Sequence, residues 1–304
     1  MEHVIENDKL RVTVSELGAE IRSIYGKTTN FEYLWQGNPE YWKGRATVLF
    51  PICGRLTDGK YTYKGKEYRM VLHGFARNRE FSVAEKTAEK LVLELKSDEK
   101  TLEIYPFEFD FKVTYTLVGA TVRTAYTVEN TGKENMRFSV GGHPGFNIPL
   151  KDGAAFEDHY LEFKNAKACD KLVMSETCYY TGKKEPFPLK DGRILELKHS
   201  LFDNDAIFLD GMDDTVTLKC KNGGRSVTVH FNDMTHLGFW HKPHSNAPYV
   251  CIEPRRGVPN SLPIVIILFI KLSLRYIFNT NIFYHIFAFC ADAILSEVKT
   301  AHRR

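Results

Sequence analysis

Two histidines sit beside glycines, in Leu72-His73-Gly74-Phe75-Ala76-Arg77 and in Gly141-Gly142-His143-Pro144-Gly145-Phe146-Asn147. A glutamate, Glu253, ends the apolar run Tyr249-Val250-Cys251-Ile252 and precedes Pro254. Histidine titrates near neutral pH, and a carboxylate after an apolar stretch is desolvated, which raises its pKa and makes it a better base. Glycine allows close backbone approach and φ > 0, and Pro144 and Pro149 stiffen the second segment. Both histidines therefore read as held on rigid turns at strand ends. Such groups can carry general acid–base chemistry, which needs only a donor and an acceptor in fixed positions.

Charged residues in other turns could hold a polar substrate. Arg55, in Phe50-Pro51-Ile52-Cys53-Gly54-Arg55, presents a planar fork that can hold two hydroxyls at once. Asp205, in Asn204-Asp205-Ala206-Ile207, precedes a strand and can accept from hydroxyls, with Asp203 and Asp210 close by in sequence. His236, His241 and His244 cluster with Asp233, yet His-x4-His-x2-His matches no compact helical ligand pair, so no metal site is expected.

The elements that must position these residues are strands. Phe107, Phe109, Phe111, Val113, Tyr115 and Leu117 alternate with polar residues, as do Val122, Thr124, Tyr126 and Val128. Lys64-Gly65-Lys66 and Asn222-Gly223-Gly224 each separate two such runs and read as hairpin turns. No helical periodicity extends beyond about two turns. The reading is one all-β domain over 1–261, with antiparallel sheets packed face to face.

Composition narrows the function classes. The formal net charge is +3 with basic residues dispersed, whereas nucleic-acid binders cluster them. Six cysteines form no CxxC pair, and the acidic N-terminus Met1-Glu2-His3-Val4-Ile5-Glu6 lacks a signal-peptide core, so a cytoplasmic protein with reduced thiols is expected. Residues 262–304 differ: Ile264 to Ile270 is an unbroken apolar block and the strand period is lost. With Lys271 and Arg275 near its middle this stretch makes a poor membrane span. It reads as an atypical segment foreign to the fold, such as a shifted reading frame would produce, with a buried amphipathic C-terminal element as the remaining alternative.

His73 in its HGFAR turn, His143 in GGHPGFN and Glu253 in CIEP resemble the aldose 1-epimerases, the galactose mutarotase-like proteins, over about residues 3–260. The similarity is to the bacterial subgroup associated with lactose and galactose operons. It implies a β-supersandwich of large twisted antiparallel sheets with an open sugar cleft, and an isomerase that interconverts α and β anomers of a hexose of galactose or glucose type. By resemblance Glu253 is the general base, His143 the general acid and His73 a partner near the ring oxygen, while Arg55 and Asp205 bind hydroxyls. Hemiacetal opening needs a base and an acid on opposite sides of one sugar, and neither a cofactor nor a metal. A small-molecule sugar is the expected partner. Two other readings stand beside this one. The HGFARN turn also resembles hexose-6-phosphate epimerases, for which Arg45, Arg55 and Arg77 would clamp the phosphate. A carbohydrate-binding protein without turnover is the second. The chain departs from the subgroup at Arg255-Arg256, where an aromatic usually follows the proline, and from Leu262 onward, where missing strands would expose a sheet edge.

Overall fold

The computed structural model describes residues 1–231, 234–257, 270–272 and 277–288. Two large antiparallel sheets dominate it. The seven-stranded sheet runs, in spatial order, Tyr180–Pro186, Asp170–Met174, Ile207–Asp210, His236–Trp240, Tyr249–Arg256, Val140–Asn147 and Ala46–Leu49. The nine-stranded sheet runs Ile194–Glu196, His159–Phe163, Thr215–Cys220, Arg225–His230, Ile277–Ala288, Thr121–Asn130, Phe109–Val118, Lys90–Lys96 and Ser82–Lys86. A four-stranded sheet covers residues 2–32, and the described α-helix is the six-residue Glu99–Ile104, started by an Asp98–Thr101 capping box. The all-β expectation and both hairpins hold: Lys60–Tyr63 pairs with Lys66–Arg69, and Thr215–Cys220 with Arg225–His230.

The core lies between the two large sheets, and the strand period decides which residues enter it. Val250 and Ile252, Leu237 and Phe239, and Ile207 and Leu209 point inward, as do Val140 and Phe146. Phe146 meets Tyr284 at 5.8 Å and Phe239 meets Phe163 at 6.4 Å, ring pairs that join one sheet to the other. Phe50 stacks on Phe111 at 4.4 Å and sits among Phe75, Tyr105, Phe109 and Phe138. With the inward positions occupied in this way, the intervening residues of the seven-stranded sheet are left for its outer face.

Two sequence expectations change. GGHPGFN is not a turn: His143 lies inside the strand Val140–Asn147, which has a neighbour on each side. Prolines are tolerated there because the pairing with Tyr249–Arg256 is regular at its two ends, around a stretch holding Pro144 and Pro254, residues with no N–H to give. Part of the C-terminal segment is also not foreign to the sheets. Ile277–Ala288 pairs with both Thr121–Asn130 and Arg225–His230, and Ile270–Leu272 pairs with Met136–Phe138. Thr280, Ile282, Tyr284 and Ile286 are buried while Asn281, Phe283 and His285 are not, so the period of two is present. The apolar block at 264–269 and the stretch 289–304 lie outside the described residues. Among the described residues no helix is long and apolar enough to cross a membrane.

A fully buried Ile282 makes this strand testable. Ile282→Ala is expected to destabilise the protein by about 2–5 kcal/mol in urea unfolding. A change within about 0.5 kcal/mol, typical of surface positions, would show that the segment is not core.

Candidate active site

The register of the seven-stranded sheet builds the site. Phe208 pairs with Gly238, Gly238 with Glu253, and Thr47 with His143. Gly141 stands opposite Arg255 and Gly145 opposite Cys251, so the same register sets His143 opposite Glu253. Residues opposite one another in a ladder project from the same face. Phe208, Glu253, His143 and Thr47 thus form one row across the sheet, and all four line a cleft of about 280 Å³ on its outer face.

His73, Arg55, Arg77 and Asp205 line the same cleft, so the structure brings all six sequence-derived residues together. His73 comes from a turn, as expected, with φ 64°; its main-chain N–H donates to the Gly54 carbonyl at 2.7 Å. Gly74 follows at φ 74°, and a Cβ there would fall 2.2 Å from the Phe50 carbonyl oxygen, so glycine is required. Arg45 does not join: its guanidinium donates to the Arg22 carbonyl and to Gln36, and it is not among the residues lining the cleft, so the three-arginine phosphate clamp is not assembled.

Glu253 and His143 stand side by side, with Glu253 Oε1 3.2 Å from His143 Nε2. They were expected on opposite sides of a sugar; sharing one sheet face makes them neighbours. Glu253 is 1% exposed and His143 8%. The other carboxylate oxygen, Oε2, accepts from Arg255 Nη2, and Arg255 is itself 1% exposed, with its guanidinium 4.6 Å from the centre of the Phe208 ring. Gly141 makes room for that side chain, because a Cβ there would lie 2.9 Å from the Arg255 Cβ. Arg255 thus supplies a positive charge against the buried carboxylate, while Glu253 Oε1 has no hydrogen-bond partner and faces His143.

That arginine sets the charge of its neighbours. Burial pushes the Arg255 guanidinium down to about 10, so it remains a cation at neutral pH. Burial first, then the Arg255 charge, push His143 down to about 3. His73 is held well below its usual range by burial, then by His143 and the nearby arginines. The Gly54 N–H donates to His73 Nδ1 at 3.0 Å, which leaves the ring proton of the neutral form on Nε2. Also in the cleft lining, Cys178 Sγ donates to Asp205 Oδ2 at 2.9 Å, and burial with that bond pushes the thiol up to about 11.

Sequence reasoning missed the aromatic wall. Trp42 lies against the His143 ring at 4.8 Å and 32°, and Trp240 meets the same ring at 5.6 Å, nearly edge-on. Both line the cleft with Phe208. Trp240 in its strand and Trp42 in the loop before Ala46–Leu49 both look like core aromatics, and the packing that places them at the cleft is not a local property. Among the described residues the histidine, cysteine and carboxylate group close enough to hold a metal is His143, Cys251 and Glu253, and Arg255 already provides the cation against that carboxylate. His236 and His241 are engaged elsewhere, with Thr235 and with His199 and the Lys242 carbonyl, and Asp233 lies outside the described residues.

The depressed histidines fix the sign of the acid response. Burial pushes His236 and His241 down to about 4, as it pushes His143 to about 3, whereas an unfolded histidine titrates near 6.5. Below about pH 6.5 the unfolded chain binds protons that the folded chain refuses, so stability falls as pH drops, by up to about 1.4 kcal/mol per pH unit per histidine. Between about pH 6.5 and 5, above the carboxylate range, unfolding midpoints are therefore expected to decline, less steeply in His241→Gln. Midpoints independent of pH in that window would contradict the assignment.

The chain is similar to known proteins over most of its length. The family model described as aldose 1-epimerase matches residues 1–266. The plasmid-encoded protein LacX of Lactococcus lactis subsp. lactis is 35% identical over 267 residues, 85% of this chain and 88% of the relative. A crystal structure described as a galactose mutarotase related enzyme, from Lactobacillus acidophilus, superposes with a TM-score of 0.90 at 33% identity, covering 94% of this chain and 97% of its own. A galactose mutarotase-like protein from Lactobacillus casei gives 0.89 at 28% identity, covering 94% of this chain and all of its own. With the row of His143 and Glu253 in its cleft and a family match across most of its length, the chain belongs to the aldose 1-epimerase family.

Proposed function

We propose that the protein is an isomerase that interconverts the α and β anomers of an unphosphorylated aldohexose by opening its hemiacetal. The observation that carries this is the 3.2 Å separation of Glu253 Oε1 and His143 Nε2 on one floor of the cleft. The two oxygens that exchange protons, the C1 hydroxyl and the ring oxygen, are bonded to the same carbon. A base and an acid that are neighbours match such a pair.

In the forward direction Glu253 takes the proton of the C1 hydroxyl, the C1–ring oxygen bond breaks, and the ring oxygen takes a proton from His143. The product is the open-chain aldehyde. After a half-turn about C1–C2 the hydroxyl that was the ring oxygen returns its proton to His143 and attacks the other face of the aldehyde. Glu253 then protonates the new C1 hydroxyl, and both groups are back in their starting states. His143 acts from its neutral form, as an N–H donor, because burial and then the Arg255 charge disfavour the imidazolium. The positive field of Arg255, Arg77 and Arg55 compensates the negative charge that builds up when it gives its proton.

Arg255 holds one oxygen of Glu253 and leaves Oε1 free to act as the base. His73, fixed by Gly54, is a donor near the ring oxygen, and Arg55, Arg77 and Asp205 bind hydroxyls. Trp42 and Trp240 offer flat apolar surfaces against the C–H face of a sugar and keep water from the reacting carbon. Free thiols at Cys53, Cys169, Cys178, Cys220 and Cys251 support a cytoplasmic setting.

NMR exchange between anomeric protons tests the reading with galactose, glucose and glucose 6-phosphate. The parent is expected to accelerate exchange of the free hexoses over buffer. Glu253→Gln keeps the shape of the site and removes the base, so kcat should fall by about 10²–10⁴-fold with little change in KM. Preference for glucose 6-phosphate would instead support the phosphate epimerase. Sugar binding with exchange at the buffer rate for every sugar would support a non-catalytic binding protein.

A further inference from the structure

The strands Asp170–Met174 and Ile207–Asp210 are neighbours in the seven-stranded sheet, yet their ladder holds just two pairs, Asp170 with Asp210 and Lys171 with Leu209. Past Lys171 the first strand runs on into a hairpin with Tyr180–Pro186, closed by the pair of Met174 and Tyr180. Along the unpaired lengths lies a groove of about 880 Å³, lined by Leu172, Val173 and Met174 from the first strand and by Asn204, Asp205 and Ile207 from the segment entering the second. With no main-chain ladder here, side chains must fix the hairpin tip relative to Asp205.

The tip carries such a side chain. Cys178 Sγ donates to Asp205 Oδ2 at 2.9 Å, and both residues line the active-site cleft as well as the groove. Burial, then that bond, pushes the thiol up to about 11, so at neutral pH it is protonated and able to donate. Both residues have positive φ, 61° for Cys178 and 71° for Asp205. Aspartate visits that region with some ease, whereas a cysteine stays there because its surroundings hold it. The Cys178 N–H donates to the Ser175 carbonyl at 2.8 Å and the Tyr179 N–H to Ser175 Oγ at 3.1 Å, which closes the turn around the thiol.

The same tip touches the other hydroxyl-binding loop. Tyr179 Oη donates to the Leu56 carbonyl at 3.2 Å, and Arg55 Nη1 donates to the Thr177 carbonyl at 3.5 Å. Residues 175–179 therefore meet both of the segments that bring Arg55 and Asp205 into the cleft.

We propose that Cys178 is a positioning residue for sugar binding: its thiol clasps Asp205 Oδ2 across the open stretch of the sheet and so presents Oδ1 to a substrate hydroxyl. This rests on the mutarotase reading above, with Asp205 as a hydroxyl acceptor. The thiol takes no part in hemiacetal opening, so its loss acts on binding and leaves the proton transfers at Glu253 and His143 intact.

Anomer exchange of galactose and glucose tests this in a double-mutant cycle. Cys178→Ala is expected to raise KM by about three- to tenfold, the scale of one hydrogen bond, with kcat within about twofold. Cys178→Ser keeps a donor and should recover most of the lost affinity. Asp205→Gly removes the carboxylate and suits the positive φ, and in that background Cys178→Ala should change KM by less than about twofold. An unchanged KM in Cys178→Ala, or a serine variant no better than the alanine one, overturns the clasp alone. So does an equal rise in KM with and without Asp205, because the thiol would then act on the sugar itself. No acceleration of exchange by the parent overturns the mutarotase reading and this inference with it.

Discussion

The site depends on a buried charge balance in one ladder of the seven-stranded sheet. Glu253 and Arg255 are two residues apart on the same strand, so they project from the same face, and both are almost fully buried. A carboxylate alone in that position would be costly, and removing one partner of such a pair typically costs about 3–5 kcal/mol. Arg255 resolves this by taking Oε2, and its charge then reaches the histidine in the next strand. A neutral His143 follows from its burial and then from that guanidinium, which also leaves the carboxylate one free oxygen. The rest of the sandwich keeps these strands in register: a one-residue slip would turn Glu253 and His143 toward the core.

The same period of two explains how a large apolar core and a polar cleft share one sheet. Val250 and Ile252 pack inward against the nine-stranded sheet, while Cys251, Glu253 and Arg255 face outward. Glycines at 141 and 238 lie in this face where large side chains must fit, beside Arg255 and beside Phe208. A Cβ at Gly238 would lie 3.0 Å from the Phe208 ring, so this glycine serves the width of the cleft, not a turn.

Much of this was legible in the sequence, for a physical reason in each case. Alternation along Phe109–Val118 and Thr121–Asn130 is a local signal, and it located long strands directly. The six site residues stood out as charged or titratable groups beside glycine, proline or an apolar run. What escaped depends on neighbours distant in sequence. Gly-Gly-His-Pro-Gly has the composition of a turn, and only pairing on both sides makes it a strand. Trp42, Trp240, Phe208 and Thr47 carry no mark that separates a cleft wall from core. Arg255 was visible as a departure from the family pattern, yet its partner is set by the strand it sits on. In the C-terminal segment the apolar block at 264–270 masked the alternation that follows it in Thr280, Ile282, Tyr284 and Ile286.

Arg255, not a histidine, is the cation beside Glu253. Nitrogen-15 NMR of the histidine rings, followed from about pH 7.5 to 4.5 with His143→Gln used for assignment, tests it directly. His143 is expected to remain a neutral imidazole across that range, since burial and then the Arg255 charge push it down to about 3. A His143 that protonates near its ordinary value of about 6.5 would contradict it, because the imidazolium would then be the partner of the glutamate.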